Sequence, residues 1–219
     1  MPNWITNKVE APREVLESLL NAEGRIDFNT IIPFMGAFDW NGINCAAEEA
    51  AEVITAQPLN DHPLIASLQR DSRTKVDVLK LSDEGFEQFV QMLRNKRQHG
   101  YFHSMDFARD QWGTKCNACN QAVNLDAQEF EFETAWSCPR HIYKALSAKF
   151  PDATIVVRFA DEDIGSNCGT ITWKGGEVST EDVAGNWNEM SKKDQDKWSA
   201  FARDLTGRPA DDEDDEDDE

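Results

Sequence analysis

The segment EFEFETAW, residues 129–136, constrains the fold of this chain more than any other part of the sequence. Its aromatic residues and Thr134 alternate with three glutamates. Successive side chains of a β-strand point to opposite faces of the sheet. The alternation therefore predicts a strand with Phe130, Phe132 and Trp136 toward the core and the glutamates toward solvent.

Hydrophobic periodicity predicts further strands and helices along the chain. Strands are predicted over 4–11, 26–34, 154–160 and 168–178. Helices are predicted over 12–20, 46–56, 82–99, 142–150, 180–186 and 191–205. Ser82 and Ser191 are expected to cap two of these helices, because a serine oxygen at that position accepts a free backbone N–H. Strands that mostly meet antiparallel, with helices gathered on one face, predict an α+β fold.

The chain is strongly acidic, with a formal net charge of −19. Nine acidic residues form the terminal run DDEDDEDDE, and the rest of the chain still carries 32 acidic against 22 basic residues. A negative field repels nucleic-acid phosphates and anionic lipid but attracts basic protein surfaces. The composition therefore favours a basic protein partner over nucleic acid or a membrane. The terminal run has two interpretations, partner binding or solubility.

The N-terminal sequence MPNWITNKVEAPREV has neither the apolar run nor the cleavage site of a secretory signal. No stretch of about 18 apolar residues that could cross a membrane occurs in the sequence. A cytoplasmic location is therefore expected, where thiols are kept reduced. Close cysteine pairs in that compartment indicate metal or redox chemistry in preference to a disulfide framework.

Two short motifs predict a metal site. Cys116 and Cys119 are two residues apart, and Cys138 and His141 follow with the same spacing. Zinc takes four tetrahedral ligands, and thiolates spaced in this way both reach one ion from a tight turn. A Cys₃His set leaves no open position for a reactive water, so the predicted zinc is structural and the four residues hold the chain together.

Other interpretations of the cysteines stay open. The first pair can be small core residues, with Cys138 simply preceding a proline and His141 facing solvent. Cys45 and Cys168 are expected to be buried thiols, as free cysteines commonly are. The sequence contains no phosphate-binding loop, dinucleotide fingerprint or nucleophile elbow. It therefore offers no catalytic residues, and a protein that is not an enzyme is favoured.

Several stretches read together resemble a known family. They are MPNW, IDFNTIIPF, WGTKCNA, FETAWSCP with IYKALSAKFPD, and VRFADEDIGSNCGTITW. They are similar to the YubB-type ferredoxin-like proteins of phages and conjugative plasmids, over roughly residues 1–177. The resemblance implies a ferredoxin-like α+β fold and a mobile genetic element as the source, and it implies no catalytic residues.

The resemblance also bears on the predicted ligands and on the domains. Family members more often carry aromatic, aliphatic or proline residues where this chain has its three cysteines and His141. Joint replacement at these positions indicates that the two segments touch. The predicted organisation is a ferredoxin-like domain over 1–177 with inserted helices and the zinc knuckle, a helical extension over 178–208, and a disordered acidic tail over 209–219.

Three functions remain open at this level. The first is a non-enzymatic accessory protein of a phage or plasmid, which binds and inhibits a basic host protein such as a defence or nucleic-acid-processing enzyme. The second is a nucleic-acid-binding ferredoxin-like module, which the negative charge disfavours. The third is an enzyme with an unrecognised site. The acidity of the chain favours the first.

Overall fold

The computed structural model describes residues 3–56 and 63–208. The chain divides into two compact units, one formed by Met1–Pro33 with Ala108–Glu219 and the other by Phe34–Phe107. They are called the sheet unit and the helical unit below. The acidic tail predicted over 209–219 lies outside the described residues.

The sheet unit is built on a six-stranded antiparallel sheet. Its strands are β1 (Trp4–Glu10), β2 (Cys119–Asn124), β3 (Glu129–Ala135), β4 (Ile155–Asp161), β5 (Gly169–Lys174) and β6 (Glu177–Val183). They lie in the order β2-β3-β1-β4-β5-β6. The first four strands have the order of a ferredoxin-like split βαβ fold, and the β5–β6 hairpin extends it beyond β4. The predicted fold class is confirmed.

Three helices belong wholly to the sheet unit: α1 (Arg13–Glu17), α6 (Arg140–Lys149) and α7 (Lys192–Thr206). α6 buries Ile142, Tyr143 and Leu146, and the Tyr143 hydroxyl lies 3.3 Å from Asn7 Oδ1 on β1. α7 packs on the opposite face near Ala160, as successive residues of β4 point to opposite sides. The core of this unit therefore lies between the sheet and α6, and α7 covers one end of the other face.

The helical unit contains α2 (Cys45–Thr55), α3 (Pro63–Lys75) and α4 (Asp83–His99), and α5 (Ser104–Gln111) spans the boundary between the two units. Three alanines of α2 pack against two larger residues of α4 and one residue of the segment that follows α4. The core they form consists of Ala47, Ala50 and Ala51, of Phe89 and Met92, and of Phe102. Ser82 caps α4 by accepting a hydrogen bond from the Gly85 amide, and Gly100 ends the helix with φ 86°. A glycine takes this left-handed conformation without a Cβ penalty.

Several predicted elements are confirmed within a residue or two of their bounds. These are the strands over 4–11, 129–136 and 154–160, and the helices over 46–56, 82–99, 142–150 and 191–205. The Ser191 cap is also present, with its hydroxyl accepting from the Asp194 amide at 3.2 Å. No helix within 3–56 and 63–208 combines the length and the apolarity that crossing a membrane requires.

Other predictions were wrong. The strand expected over 26–34 is a 3₁₀ turn at Phe28–Thr30, because the Asp27 carboxylate accepts the Asn29 amide and closes a local turn. The helix expected over 180–186 is strand β6, which pairs with β5. The sheet therefore continues to Val183 and does not end at the predicted boundary of 177. Trp136 follows β3 with φ 67° and is 48% exposed, so it is not a core residue.

Candidate functional site

The structure brings Cys116 and Cys119 together at the edge of the sheet. Cys119 begins β2, and its thiol donates to the Glu133 carbonyl oxygen at 3.3 Å. Burial, together with the neighbouring charges of Cys116 and Glu133, raises the pKa of Cys119 to about 11. Burial also raises the pKa of Cys116, against an opposing effect of Lys115. Both thiols are therefore protonated near neutral pH.

Cys138 and His141 lie at the entrance to α6 in different surroundings from that pair. Cys138 is 6% exposed, and burial raises the pKa of its thiol strongly, with Tyr143 as a neighbour. His141 is exposed, and its Nδ1 lies 3.1 Å from the Asp110 carbonyl oxygen. The same ring lies against Gly113, where an added Cβ would be 3.7 Å from Nδ1.

The two segments that carry these residues run alongside each other. Thr114 donates its hydroxyl hydrogen to the Ala135 carbonyl at 2.9 Å, and the Ser137 hydroxyl bonds to the Gly113 carbonyl. The prediction that the segments touch is confirmed. Within the described ranges, however, no three His, Cys, Asp or Glu side chains form a group that could hold a metal ion.

The four predicted ligands thus lie on two segments in contact, but their side chains do not form a group that could hold a metal ion. The Cys116 and Cys119 thiols are near enough for the charge of one to raise the pKa of the other, Cys138 is buried, and the His141 ring is hydrogen-bonded to a backbone carbonyl. Zinc binding would require the four side chains to converge on one point and all three thiols to lose their protons. The zinc site stays a prediction, and the proposed function does not depend on it.

The other two cysteines have opposite environments. Cys168 is buried, as predicted, and lies under Trp198 of α7. Cys45 is exposed at the first turn of α2, so its predicted burial was wrong. The reason is that α2 turns its alanines, and not Cys45, toward the core.

A second candidate site is the face of the sheet opposite α6. Glu129, Glu131 and Glu133 of β3 point to this face, and the register places Glu10, Lys8 and Thr6 of β1 opposite them. Arg158 of β4 lies beside Lys8. We call the set Glu10, Glu129, Glu131, Glu133, Lys8 and Arg158 the acidic sheet face. It contains four carboxylates and two cations.

Ion pairs organise part of the acidic sheet face. Lys8 Nζ lies 2.9 Å from Glu129 Oε1, and the Arg158 guanidinium lies 3.2 Å from Glu10 Oε1. Glu131 is exposed, and the Glu133 carboxylate accepts a hydrogen bond from Asn120. The excess carboxylates therefore lie on β3, toward the β2 edge.

Sequence reasoning found the three glutamates of β3 but missed their neighbours. Lys8 and Glu10 alternate with Ile5 and Val9 in the segment WITNKVE. That alternation could have placed both polar residues on the uncovered face. Their cross-strand position opposite β3 could not have been found, because it depends on the strand order.

One family model agrees with the fold. Residues 111–199 match the family model described as the ferredoxin-like domain in Api92-like protein. A crystal structure of the protein Api92 from Yersinia pseudotuberculosis is similar at 10% identity and a TM-score of 0.34, over 85% of this chain and 99% of that chain. No curated protein matches the chain. The matched family model covers the stretch from just before β2 into α7.

Proposed function

We propose that this protein is a non-enzymatic accessory protein of a phage or plasmid, which binds and inhibits a basic host protein through the acidic sheet face. The observation that supports the proposal is the excess of carboxylates on an uncovered face of β1 and β3. A defence enzyme or a nucleic-acid-processing enzyme would offer the basic surface required. The mobile-element source rests on the sequence resemblance to YubB-type proteins.

The spacing of the carboxylates suits a patch of basic side chains. Residues two apart on a strand are separated by about 7 Å, and neighbouring strands by about 4.8 Å. Glu129, Glu131 and Glu133 thus form a row, and Glu10 stands beside one end of it. Lysine and arginine side chains on a partner can each approach a different carboxylate without crowding.

Long-range attraction adds to these contacts. The chain without its terminal DDEDDEDDE carries 32 acidic and 22 basic residues, so its field favours approach of a cationic protein. The partly exposed ion pairs of Lys8 and Arg158 contribute little to stability and can be exchanged for contacts with a partner. Because exposed charges are screened by salt, the proposed binding weakens as ionic strength rises.

The same face argues against the nucleic-acid-binding alternative. Ferredoxin-like RNA-binding sheets stack bases on aromatic side chains of the open face. Here, apart from Trp4 and Ala135 at one end, the outward residues of β1 and β3 are threonine, lysine and glutamate. Phosphates would meet a row of carboxylates where RNA-binding sheets present rings and cations.

Capture from bacterial lysate at about 50 mM salt tests the proposal. Four baits are compared: the full chain, a chain ending at residue 208, the variant E129Q/E131Q/E133Q, and the charge-matched control E23Q/E87Q/D152N. The control replaces three exposed acidic residues elsewhere. We expect a basic protein to be retained by the full chain and the control and lost by the sheet-face variant. Equal retention by all four baits, or none at all, would contradict the proposal.

The shortened chain separates the sheet face from the acidic tail. If the chain ending at residue 208 retains the partner, the folded part is sufficient and the terminal run serves solubility. If retention requires the terminal run and is indifferent to E129Q/E131Q/E133Q, the sheet face is not the binding surface.

A further inference from the structure

β2 is an edge strand next to the acidic sheet face. It pairs with β3 on one side, and within the described part of the chain no strand pairs with its other side. Every residue of β2 is at least partly exposed, and its sequence CNQAVN contains no charged residue and no proline. Charges and prolines are common protections against strand addition at an edge. A bulge lies between Cys119 and Ala122, where the Gln121 side chain bonds to the Ile26 backbone, so the regular part of this edge is residues 122–124.

The direction of the backbone groups on β2 follows from the sheet hydrogen bonds. Trp136 N donates to Asn3 O at 2.8 Å, and Ala11 N donates to Gln128 O at 3.3 Å. Bonded and non-bonded pairs alternate along an antiparallel ladder, so the even-numbered residues of β3 bond to β1 and the odd-numbered ones to β2. Ala122 and Asn124, which pair with Glu131 and Glu129, are therefore bonded inward. The N–H and C=O of Val123 point outward from the sheet.

The side chains beside this edge determine which side chains an added strand should carry. Ala122 shares the face of Glu131, whereas Val123 pairs with Phe130 and lies on the α6 side. Val123 is 38% exposed. A strand added to β2 would run about 10 Å from β3, a gap that an extended lysine and an extended glutamate span together. Basic residues at every second position would reach the glutamates, and apolar residues between them would lie beside Val123.

We propose that β2 receives an extended segment of the partner as an added strand, with alternating basic and apolar residues, so that its basic side chains cross β2 to the acidic sheet face. Backbone hydrogen bonds supply affinity in this mode of recognition, and side chains supply specificity. The inference rests on the proposed function and names the form of the partner. Charge complementarity selects this occupant, because β2 itself is neutral and pairs with the strand that carries Glu129, Glu131 and Glu133.

A synthetic peptide tests strand addition without an identified partner. The probe is acetyl-KVKVKVK-amide, and the control peptides are EVEVEVE and KVKPKVK with the same ends. The protein variants are Val123→Pro, which removes the outward N–H but no bond to β3, and Val123→Thr, which keeps it. Proline is tolerated on an edge strand where its missing N–H faces solvent. Thermal unfolding confirms that both variants remain folded.

Strand addition predicts a specific pattern of binding. The lysine peptide binds the wild-type chain and Val123→Thr, and its affinity for Val123→Pro falls roughly fivefold to tenfold, as loss of one backbone hydrogen bond predicts. The glutamate and proline peptides bind weakly or not at all. Hydrogen exchange adds a direct readout, because the Val123 amide exchanges freely before binding and is protected in the complex.

Two outcomes would overturn the inference. In the first, the lysine peptide binds both Val123 variants equally, but its binding is lost with E129Q/E131Q/E133Q. The acidic sheet face then binds cations without strand addition, and the proposed function still stands. If the peptide does not bind, or if Val123→Pro changes only the oligomeric state measured by light scattering, β2 does not receive a basic strand. The lysate experiment tests the proposed function separately in either case.

Discussion

Replacement of Thr134 by valine should destabilise the sheet unit by about 2 to 3 kcal/mol. Thr134 is fully buried on β3, where its hydroxyl accepts from Asn7 Nδ2 at 2.9 Å and donates to the Ser137 carbonyl at 2.8 Å. Valine has nearly the same shape but makes neither bond, so two buried polar groups lose a partner. Each such loss costs about 1 to 3 kcal/mol. Asn7 Nδ2 retains the Ile5 carbonyl at 2.9 Å, which limits its share.

Urea unfolding followed by tryptophan fluorescence gives the measurement. Thr172→Val is the matched control, since Thr172 lies partly exposed on the outward face of β5. We expect this control to change the free energy of unfolding by less than about 0.5 kcal/mol. Equal effects of the two substitutions would refute the reasoning, because they would show that the buried network of Asn7 and Thr134 adds nothing to the stability of the sheet.

Three further predictions concern a helix cap, a thiol and the metal. Ser191→Ala removes the acceptor of the Asp194 amide and should cost about 1 kcal/mol in thermal unfolding, with Ser199→Ala in the same helix as the control. Because burial raises the pKa of Cys119 to about 11, iodoacetamide at pH 8 should modify Cys119 far more slowly than the exposed Cys45. Peptide mass spectrometry measures the two rates of modification. Equal rates would contradict the burial of Cys119. Metal analysis of protein purified without chelators should find one zinc per chain and a lower melting temperature after chelation, and metal-free protein would end the zinc prediction.

The raised thiol pKa has a consequence for the pH dependence of stability. Cys119 has a higher pKa in the folded chain than the ordinary thiol value, so its contribution is complete below that ordinary value. The contribution is lost as pH rises toward about 11. Buried Cys138 and Tyr143 act in the same direction, because burial raises the pKa of each. The free energy of unfolding should therefore fall on the alkaline side of pH 8.

The sequence allowed prediction of those elements whose own residues carry a strong pattern. β3 alternates strictly, and α4 has an apolar stripe between the Ser82 cap and Gly100, so local sequence and tertiary structure agree there. β2 was missed because CNQAVN has no alternation. Its position depends on pairing with β3 and on the Gln121 amide, which donates to the Ile26 carbonyl at 2.9 Å.

Strand β6 and the metal ligands show what spacing alone cannot provide. Residues 177–183 are mostly polar and contain no strand pattern, and they become a strand because the Gly175-Gly176 turn folds them back onto β5. The joint replacement of the four residues relative to the resembling family correctly indicated that two segments touch. It could not indicate that Cys138 is buried or that His141 bonds to the Asp110 carbonyl, because burial and side-chain direction depend on packing.

Zero-length cross-linking of the captured complex tests the central claim most directly. A carbodiimide joins a carboxylate to a lysine amine only when the two are in contact, so it identifies the acidic residues that touch the partner. The account predicts cross-links from partner lysines to Glu131 and Glu133 and their loss at high salt, where exposed charges are screened. Cross-links confined to the terminal DDEDDEDDE, with none on β3, would contradict it.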